Sequence, residues 1–186
     1  MKEDHLYPTK PAIRRLAAPS PQDLQQLSQV LVDCVAGGAS VSFMWPLSLQ
    51  RALAFWQGVA ASAARGERVL LVAEDDGGIC GTAQLVVDMP ENQPHRADVS
   101  KMLVHRRARC RGLGAALMQA VEVEARHLGK TLLVLDTASA EAERLYERQG
   151  WVRCGQIPGF ALLPSGGLCA TTLYYRQLPD SQSGAV

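Results

Sequence analysis

The chain has 186 residues, 47% hydrophobic and 20% charged, with 19 Lys and Arg against 18 Asp and Glu for a formal net charge of +1. That is the size and composition of one core-forming domain, able to bury roughly 70% of its unfolded surface without a disulfide or metal staple. It excludes a largely disordered chain and a whole-surface polyanion binder, so no nucleic-acid partner is expected and any phosphate site must be local. The opening MKEDHLYPTK lacks the apolar stretch of a signal peptide, and nothing approaches the ~18 uninterrupted apolar residues of a membrane span. The five cysteines are scattered, odd in number and never in a C-x-x-C pair, which suggests neither a zinc site nor a disulfide framework. No metal, no membrane and a reducing cytoplasm are the resulting expectations.

Residues 1–11 read as a polar leader, 12–178 as one domain and 179–186 as a flexible tail. Ala12 to Leu16 has the look of an edge strand. Ser20-Pro21-Gln22-Asp23 then announces a helix, with Ser20 as N-cap, Pro21 in the first turn and Asp23 complementing the helix dipole. Apolar spacing carries that helix to Ala36, where Gly37-Gly38 stops it. An irregular apolar stretch through Phe43, Met44 and Trp45 leads into a helix over Leu47 to Ala64. Two runs of strand length, Val69 to Glu74 and Ile79 to Asp88, flank Asp75-Asp76-Gly77-Gly78 and read as a hairpin.

Arg96 to Val104 reads as a central strand and Gly112 to His127 as a helix. Leu113, Leu117, Ala120, Val121 and Leu128 form the apolar face of that helix, with Gly129 as its left-handed stop. Thr131 to Leu135, closed by Asp136, has the continuous apolar character of a strand buried on both faces. A short helix from Ala140 to Gln149, capped by Ser139, and two late strands, Trp151 to Ile157 and Leu168 to Gln177, complete the domain.

Chemistry concentrates in Arg106-Arg107-Ala108-Arg109-Cys110-Arg111-Gly112-Leu113-Gly114. Glycines at a helix start let the backbone turn tightly and offer free N–H groups to an anion, while the arginines bring forked donors for further phosphates. A P-loop reading of Gly129-Lys130-Thr131 fails, because Glu124 stands where its first glycine is needed and the triplet follows a helix. A dinucleotide fingerprint fails too: Leu117 takes the third glycine's place, and seven residues separate Val104 from Gly112. Coenzyme A fits both halves of the loop, its pyrophosphate on the amides and its remaining phosphate near arginine.

The run Arg109-Cys110-Arg111-Gly112-Leu113-Gly114 resembles the [QR]-x-x-G-x-[GA] acetyl-CoA signature of the GNAT superfamily of N-acetyltransferases. Ala142-x-x-Leu145-Tyr146 followed by Gly150-Trp151 is similar to that superfamily's later motif. Within it, Gly37 to Met44, Val72 to Asp76, Ala83 to Leu85, Leu135 to Thr137 and Pro158-Gly159 resemble the tabtoxin-resistance acetyltransferases. These inactivate a β-lactam-containing amino-acid toxin, and the likeness extends from Ala12 to Leu178.

The resemblance implies an α/β fold of the α+β type: a mixed, mostly antiparallel twisted sheet with helices on both faces and a splayed strand pair holding acetyl-CoA. It implies direct, ternary-complex transfer of acetyl to an amine of a small molecule. Met102, Leu103 and Val104 would align the pantetheine arm, and the amides of Arg109, Cys110, Arg111, Gly112, Leu113, Gly114 and Ala115 would hold the pyrophosphate. Asp98 and Asp136 match the two carboxylates near the acceptor amine, and Tyr146 the tyrosine near the leaving sulfur. The pocket would be walled by Gly37 to Trp45, with Phe43, Met44 and Trp45 as substrate-binding residues, and by the loop around Pro158 to Phe160.

Acyl transfer asks for these types on its own account, a carboxylate to take the amine proton and an acid to serve the thiolate. The residues alone leave Asp98 and Asp136 open between base and structural carboxylate, Tyr146 between acid and packed ring, and Phe43, Met44 and Trp45 between core and pocket. His95 and His105 read as loop residues. Two departures stand out: the relatives carry glutamate at the position of Asp98, and Cys110 replaces a common glycine, where a positive φ would be costly. A protein or peptide acceptor, and an acetyl-CoA sensor without catalysis, are the rival readings. Assembly, as monomer or homodimer, stays open.

Overall fold

The computed structural model describes residues 11–179. The expected leader and tail therefore fall outside the described residues apart from Pro11 and Pro179. Strand β1 (Ala12–Arg15) precedes helix α1 (Pro21–Ala36), whose Ser20 hydroxyl accepts from the Asp23 N–H while the Asp23 carboxylate accepts from the Ser20 N–H, a closed capping box. Helix α2 (Leu49–Ala64) starts two residues later than expected, where the Ser48 hydroxyl accepts from the Arg51 N–H and caps it. Strands β2 (Arg68–Asp75) and β3 (Gly78–Val86) form the expected hairpin, its turn fixed by the Gly77 N–H bonding Asp75 Oδ1 at 3.0 Å.

Then follow β4 (Arg96–Val104), a 3-10 turn over Arg106–Ala108, α3 (Leu113–His127), β5 (Leu132–Thr137), α4 (Ala140–Arg148), β6 (Val152–Leu162) and β7 (Leu168–Gln177). The strands make one seven-stranded sheet in the order β1-β2-β3-β4-β5-β7-β6. Every neighbouring pair is antiparallel except β4 with β5.

Strand periodicity divides the core into two layers. Val69, Leu71 and Ala73 of β2, with Leu133 and Leu135 of β5, face Leu117, Met118 and Val121 of α3 and Tyr146 of α4. Leu70 and Val72 point the other way, onto Leu27, Val30 and Leu31 of α1 and Trp56 of α2. Helices thus cover both faces, as expected.

Three local expectations change. Leu128 is exposed, because it lies past the last turn of α3, and Glu122 is buried in its place, paired with Arg126 and Arg176. Only Leu133 and Leu135 of β5 are fully buried, because α1 and α2 pack over β2, β3 and β4 and leave the other face of β5 open. Strand β6 runs on to Leu162: a register break between Ile157 and Ala161 takes up Pro158 and Gly159 as a bulge, and pairing with β7 then resumes.

Candidate active site

The parallel pair is short. β4 and β5 are in register at Arg96 with Leu132, Ala97 with Leu133 and Asp98 with Val134, and pairing stops there although both strands continue. The sheet opens into the splayed gap that the sequence led us to expect. β4 is also bulged: between the pairs Thr82–Leu103 and Gln84–Ser100, Lys101 and Met102 share a single partner position on β3, and Lys101 takes φ 50°.

At the end of β4 the chain turns through the 3-10 segment into α3. Gly112 is the N-cap of α3 at φ 78°, and no side chain caps this end among the described residues. The first intrahelical bond is from the Ala116 N–H to the Gly112 carbonyl at 3.1 Å, which leaves the amides before it at the helix start without an intrahelical partner. Gly114 matters for packing instead, since a Cβ there would meet Leu145 Cδ2 of α4 at 2.8 Å and Met102 of β4 at 3.9 Å. Absence of a side chain thus lets α3, α4 and the splayed strand converge. Cys110 adopts φ 60°, a left-handed conformation held without glycine.

The loop arginines do not stand free. The Asp33 carboxylate accepts from the Arg106 backbone N–H and from its Nε, each at 2.8 Å. Asp75 takes Arg107 Nη1 at 2.7 Å and Arg111 Nη1 at 3.2 Å, and Arg109 Nε donates to the Val104 carbonyl at 3.1 Å. Burial pushes both carboxyls up, but these bonds outweigh it and hold Asp33 and Asp75 below the usual carboxylate range. Arginines that the sequence assigned to phosphates act here as clamps, fastening the loop to α1 and to the β2–β3 hairpin. His105 joins the same lattice, 3.5 Å from Asp33. Sequence reasoning missed both aspartates.

On the opposite side of the gap lies a cleft of about 250 Å³ lined by Ser40, Ser42, Phe43, Met44, Asp136, Phe160 and Thr171 among others. Asp136 is in place because β5 alternates: with Leu133 and Leu135 in the core, Val134 and Asp136 face the uncovered side. Its Oδ2 accepts from Thr171 Oγ1 of β7 at 2.7 Å. Asp98, level with Val134 on the same face, lies about 8 Å away at Cα by strand geometry; its carboxylate is taken by Arg96 and it does not line the cleft.

Phe43 packs edge-on against Phe55 of α2, with ring centroids 5.3 Å apart. Phe43 and Met44 line the cleft, whereas Trp45 stands outside it, half-exposed, with its N–H bonded to the Pro164 carbonyl. Ser40, Ser42 and Thr171 were not singled out from sequence. Tyr146 is buried on α4 against Trp151 and Tyr174 and its hydroxyl makes no hydrogen bond among the described residues. Burial, and then the charge of Asp136, push its pKa well above the ordinary tyrosine value.

The model of the acetyltransferase (GNAT) family matches residues 26–151. The N-acetyltransferase in the hisH–hisA intergenic region of Azospirillum brasilense, itself uncharacterised, is 33% identical over 135 residues, 72% of this chain and 79% of that one. Among solved structures, yncA of Salmonella typhimurium with its cofactor acetyl-CoA superposes with a TM-score of 0.72 at 21% identity, covering 96% of this chain and 99% of that chain. A phosphinothricin acetyltransferase of Sinorhizobium meliloti in complex with acetyl-CoA gives 0.76 at 18%, covering 95% and 93%. The ribosomal-protein-alanine N-acetyltransferase of Brucella melitensis gives 0.74 at 24%, covering 90% and 99%.

The open amides at Gly112 and the gap between β4 and β5 suit a pyrophosphate and its extended arm. The chain belongs to the GNAT family of acetyltransferases, with acetyl-CoA as its co-substrate.

Proposed function

We propose that this protein is a cytoplasmic N-acetyltransferase that acetylates the amine of a small, amino-acid-like molecule, a toxin of the tabtoxinine-β-lactam type being one such acceptor. The observation that carries this reading is the small cleft with Asp136 on its wall at the strand gap, a volume suited to an amino-acid-sized ligand and not to a folded surface. The fold likeness to a phosphinothricin acetyltransferase adds support, as do the sequence stretches shared with the tabtoxin-resistance group. The five cysteines, all free, agree with a reducing compartment.

In this reading the amides from Arg109 to Ala115 bind the pyrophosphate, and Met102, Leu103 and Val104 align the pantetheine arm. Bound acetyl-CoA supplies the acetyl thioester. Asp136 Oδ1 takes a proton from the acceptor amine, with Asp98 able to relay it through water, and Thr171 holds the carboxylate in its orientation. The Tyr146 hydroxyl, kept protonated by burial, holds the proton for the leaving sulfur. Phe43 and Met44 give the acceptor an apolar wall, and Trp45 buttresses the loop behind them. The whole operates as one domain over residues 12–178.

The test is CoA release from acetyl-CoA with a panel of amines that includes amino acids and amino-acid-like β-lactams, each product checked for the mass of one added acetyl group. Turnover of a small amine is expected. Turnover only with peptides or proteins, or tight acetyl-CoA binding with no turnover, overturns the reading.

A further inference from the structure

The bulge in β4 sends Lys101 to the cleft side of the sheet. Its Nζ donates to Ser42 Oγ at 3.2 Å and lies 5.8 Å from the centroid of the Phe55 ring. Ser42 lines the cleft beside Asp136. Among the described residues no carboxylate is within ion-pairing distance of this half-buried ammonium, so its only polar partner is a neutral hydroxyl.

That arrangement has two costs. A cation drawn partly out of water with no carboxylate within ion-pairing distance among the described residues is incompletely compensated, and burial lowers the Lys101 pKa although the nearby charge of Asp136 opposes it. The backbone is strained as well: Ser42 at φ 75° and Lys101 at φ 50° are two of the three non-glycine residues with positive φ in the described chain, and they are bonded to each other. Ser42 stands on the cleft wall and Lys101 directly behind it, one hydrogen bond away, so this strain is kept beside the cleft on a pair of polar side chains.

We propose that Lys101, held by Ser42, is the anion subsite of the acceptor cleft and selects amines that carry a carboxylate. An α-amino acid has its amine and carboxylate on adjacent atoms, so one small ligand can present nitrogen to Asp136 and an anion to Lys101. Decarboxylated amines and carboxamides reach Asp136 equally well and leave Lys101 unpaired. This inference rests on the reading that the cleft takes the acceptor, and it adds which acceptors the cleft prefers.

The experiment compares wild type with Lys101→Met, Lys101→Arg and Ser42→Ala. Each is given amines in sets of three: an L-amino acid, its carboxamide and its decarboxylated counterpart. KM and kcat are read for each, and the CoA-loaded proteins are also titrated calorimetrically with the N-acetyl amino acid, which reports anion recognition without turnover. Wild type should favour the carboxylate member by about tenfold or more in kcat/KM. Lys101→Met should erase that preference mainly through KM, Lys101→Arg should restore most of it, and acetyl-CoA affinity should hold in both as the check on folding. If Lys101→Met does not fold, Ser42→Ala should weaken the same preference.

An unchanged preference in Lys101→Met, or wild-type preference for the uncharged amines, overturns the inference and leaves acetyl transfer standing. Lys101-dependent binding of the N-acetyl acid with no turnover of any amine overturns the proposed function and leaves the anion subsite. Neither turnover nor binding overturns both.

Discussion

Thr171 Oγ1 on β7 donates to Asp136 Oδ2 on β5 at 2.7 Å, across the antiparallel pair that borders the cleft. The bond joins a buried hydroxyl to an exposed carboxylate and leaves the second oxygen of Asp136 without a hydrogen bond among the described residues. Thr171→Val keeps the shape and removes the donor. A hydrogen bond of this kind is worth about 1 kcal/mol, so kcat/KM for the acceptor should fall roughly fivefold, with Thr171→Ser recovering it and acetyl-CoA affinity unmoved.

Tyr146→Phe separates an acid from a packed ring. Because the hydroxyl makes no hydrogen bond among the described residues, its removal should change thermal stability by less than about 1 kcal/mol. As a proton source for the leaving thiol, its loss should lower kcat by about 10²-fold with acetyl-CoA binding retained. The raised pKa of Tyr146 has a further consequence for the pH profile. The proton-bearing form persists into the alkaline range, so no loss of kcat from this group should appear where an ordinary tyrosine would begin to ionise.

Asp75 anchors Arg107 and Arg111 of the arginine-rich glycine loop and is itself largely buried. Asp75→Ala leaves two guanidinium groups without their partner and should cost about 2 kcal/mol of stability, measured by denaturant melts. It should also weaken acetyl-CoA binding by loosening the loop. The sign with pH follows from a carboxyl whose folded pKa lies below its unfolded value: the stabilisation is fully present above the ordinary carboxylate range and is lost as pH falls through the depressed folded value. Wild type and Asp75→Ala should therefore converge in stability under acid.

Two positions in the same loop test its backbone geometry in opposite directions. Gly112→Ala forces a side chain into φ 78° and should destabilise by about 1–2 kcal/mol while reducing acetyl-CoA affinity. Cys110 already bears that strain at φ 60°. Cys110→Gly should relieve about 1–2 kcal/mol of it, offset in part by roughly 0.4–1 kcal/mol of added unfolded-state entropy, for a small net rise in Tm.

Helix caps, turn glycines and the glycine loop were legible because each is set by neighbours in sequence: Ser20 with Asp23, Ser139 with Ala142, Gly112 with the helix it starts. The clamps on the arginines were not, because Asp33 is 73 residues from Arg106 and Asp75 is 32 from Arg107. Lys101 was illegible for a related reason. Its direction depends on a bulge defined only by the register of β3 against β4. The open face of β5 escaped notice because its apolar run signals a strand but not how far a neighbouring helix layer extends. Trp45, grouped with Phe43 and Met44 by composition, is separated from them by the turn that bonds its N–H to Pro164.

The most direct test of acetyl transfer at Asp136 is CoA release by wild type and Asp136→Asn, side by side, with acetyl-CoA and the acceptor panel. Wild type should acetylate an amino-acid-like amine, and Asp136→Asn should lower kcat by about 10²-fold or more while binding acetyl-CoA as before. Wild-type turnover by Asp136→Asn, or a wild type that binds acetyl-CoA and acetylates none of these amines, would contradict that role.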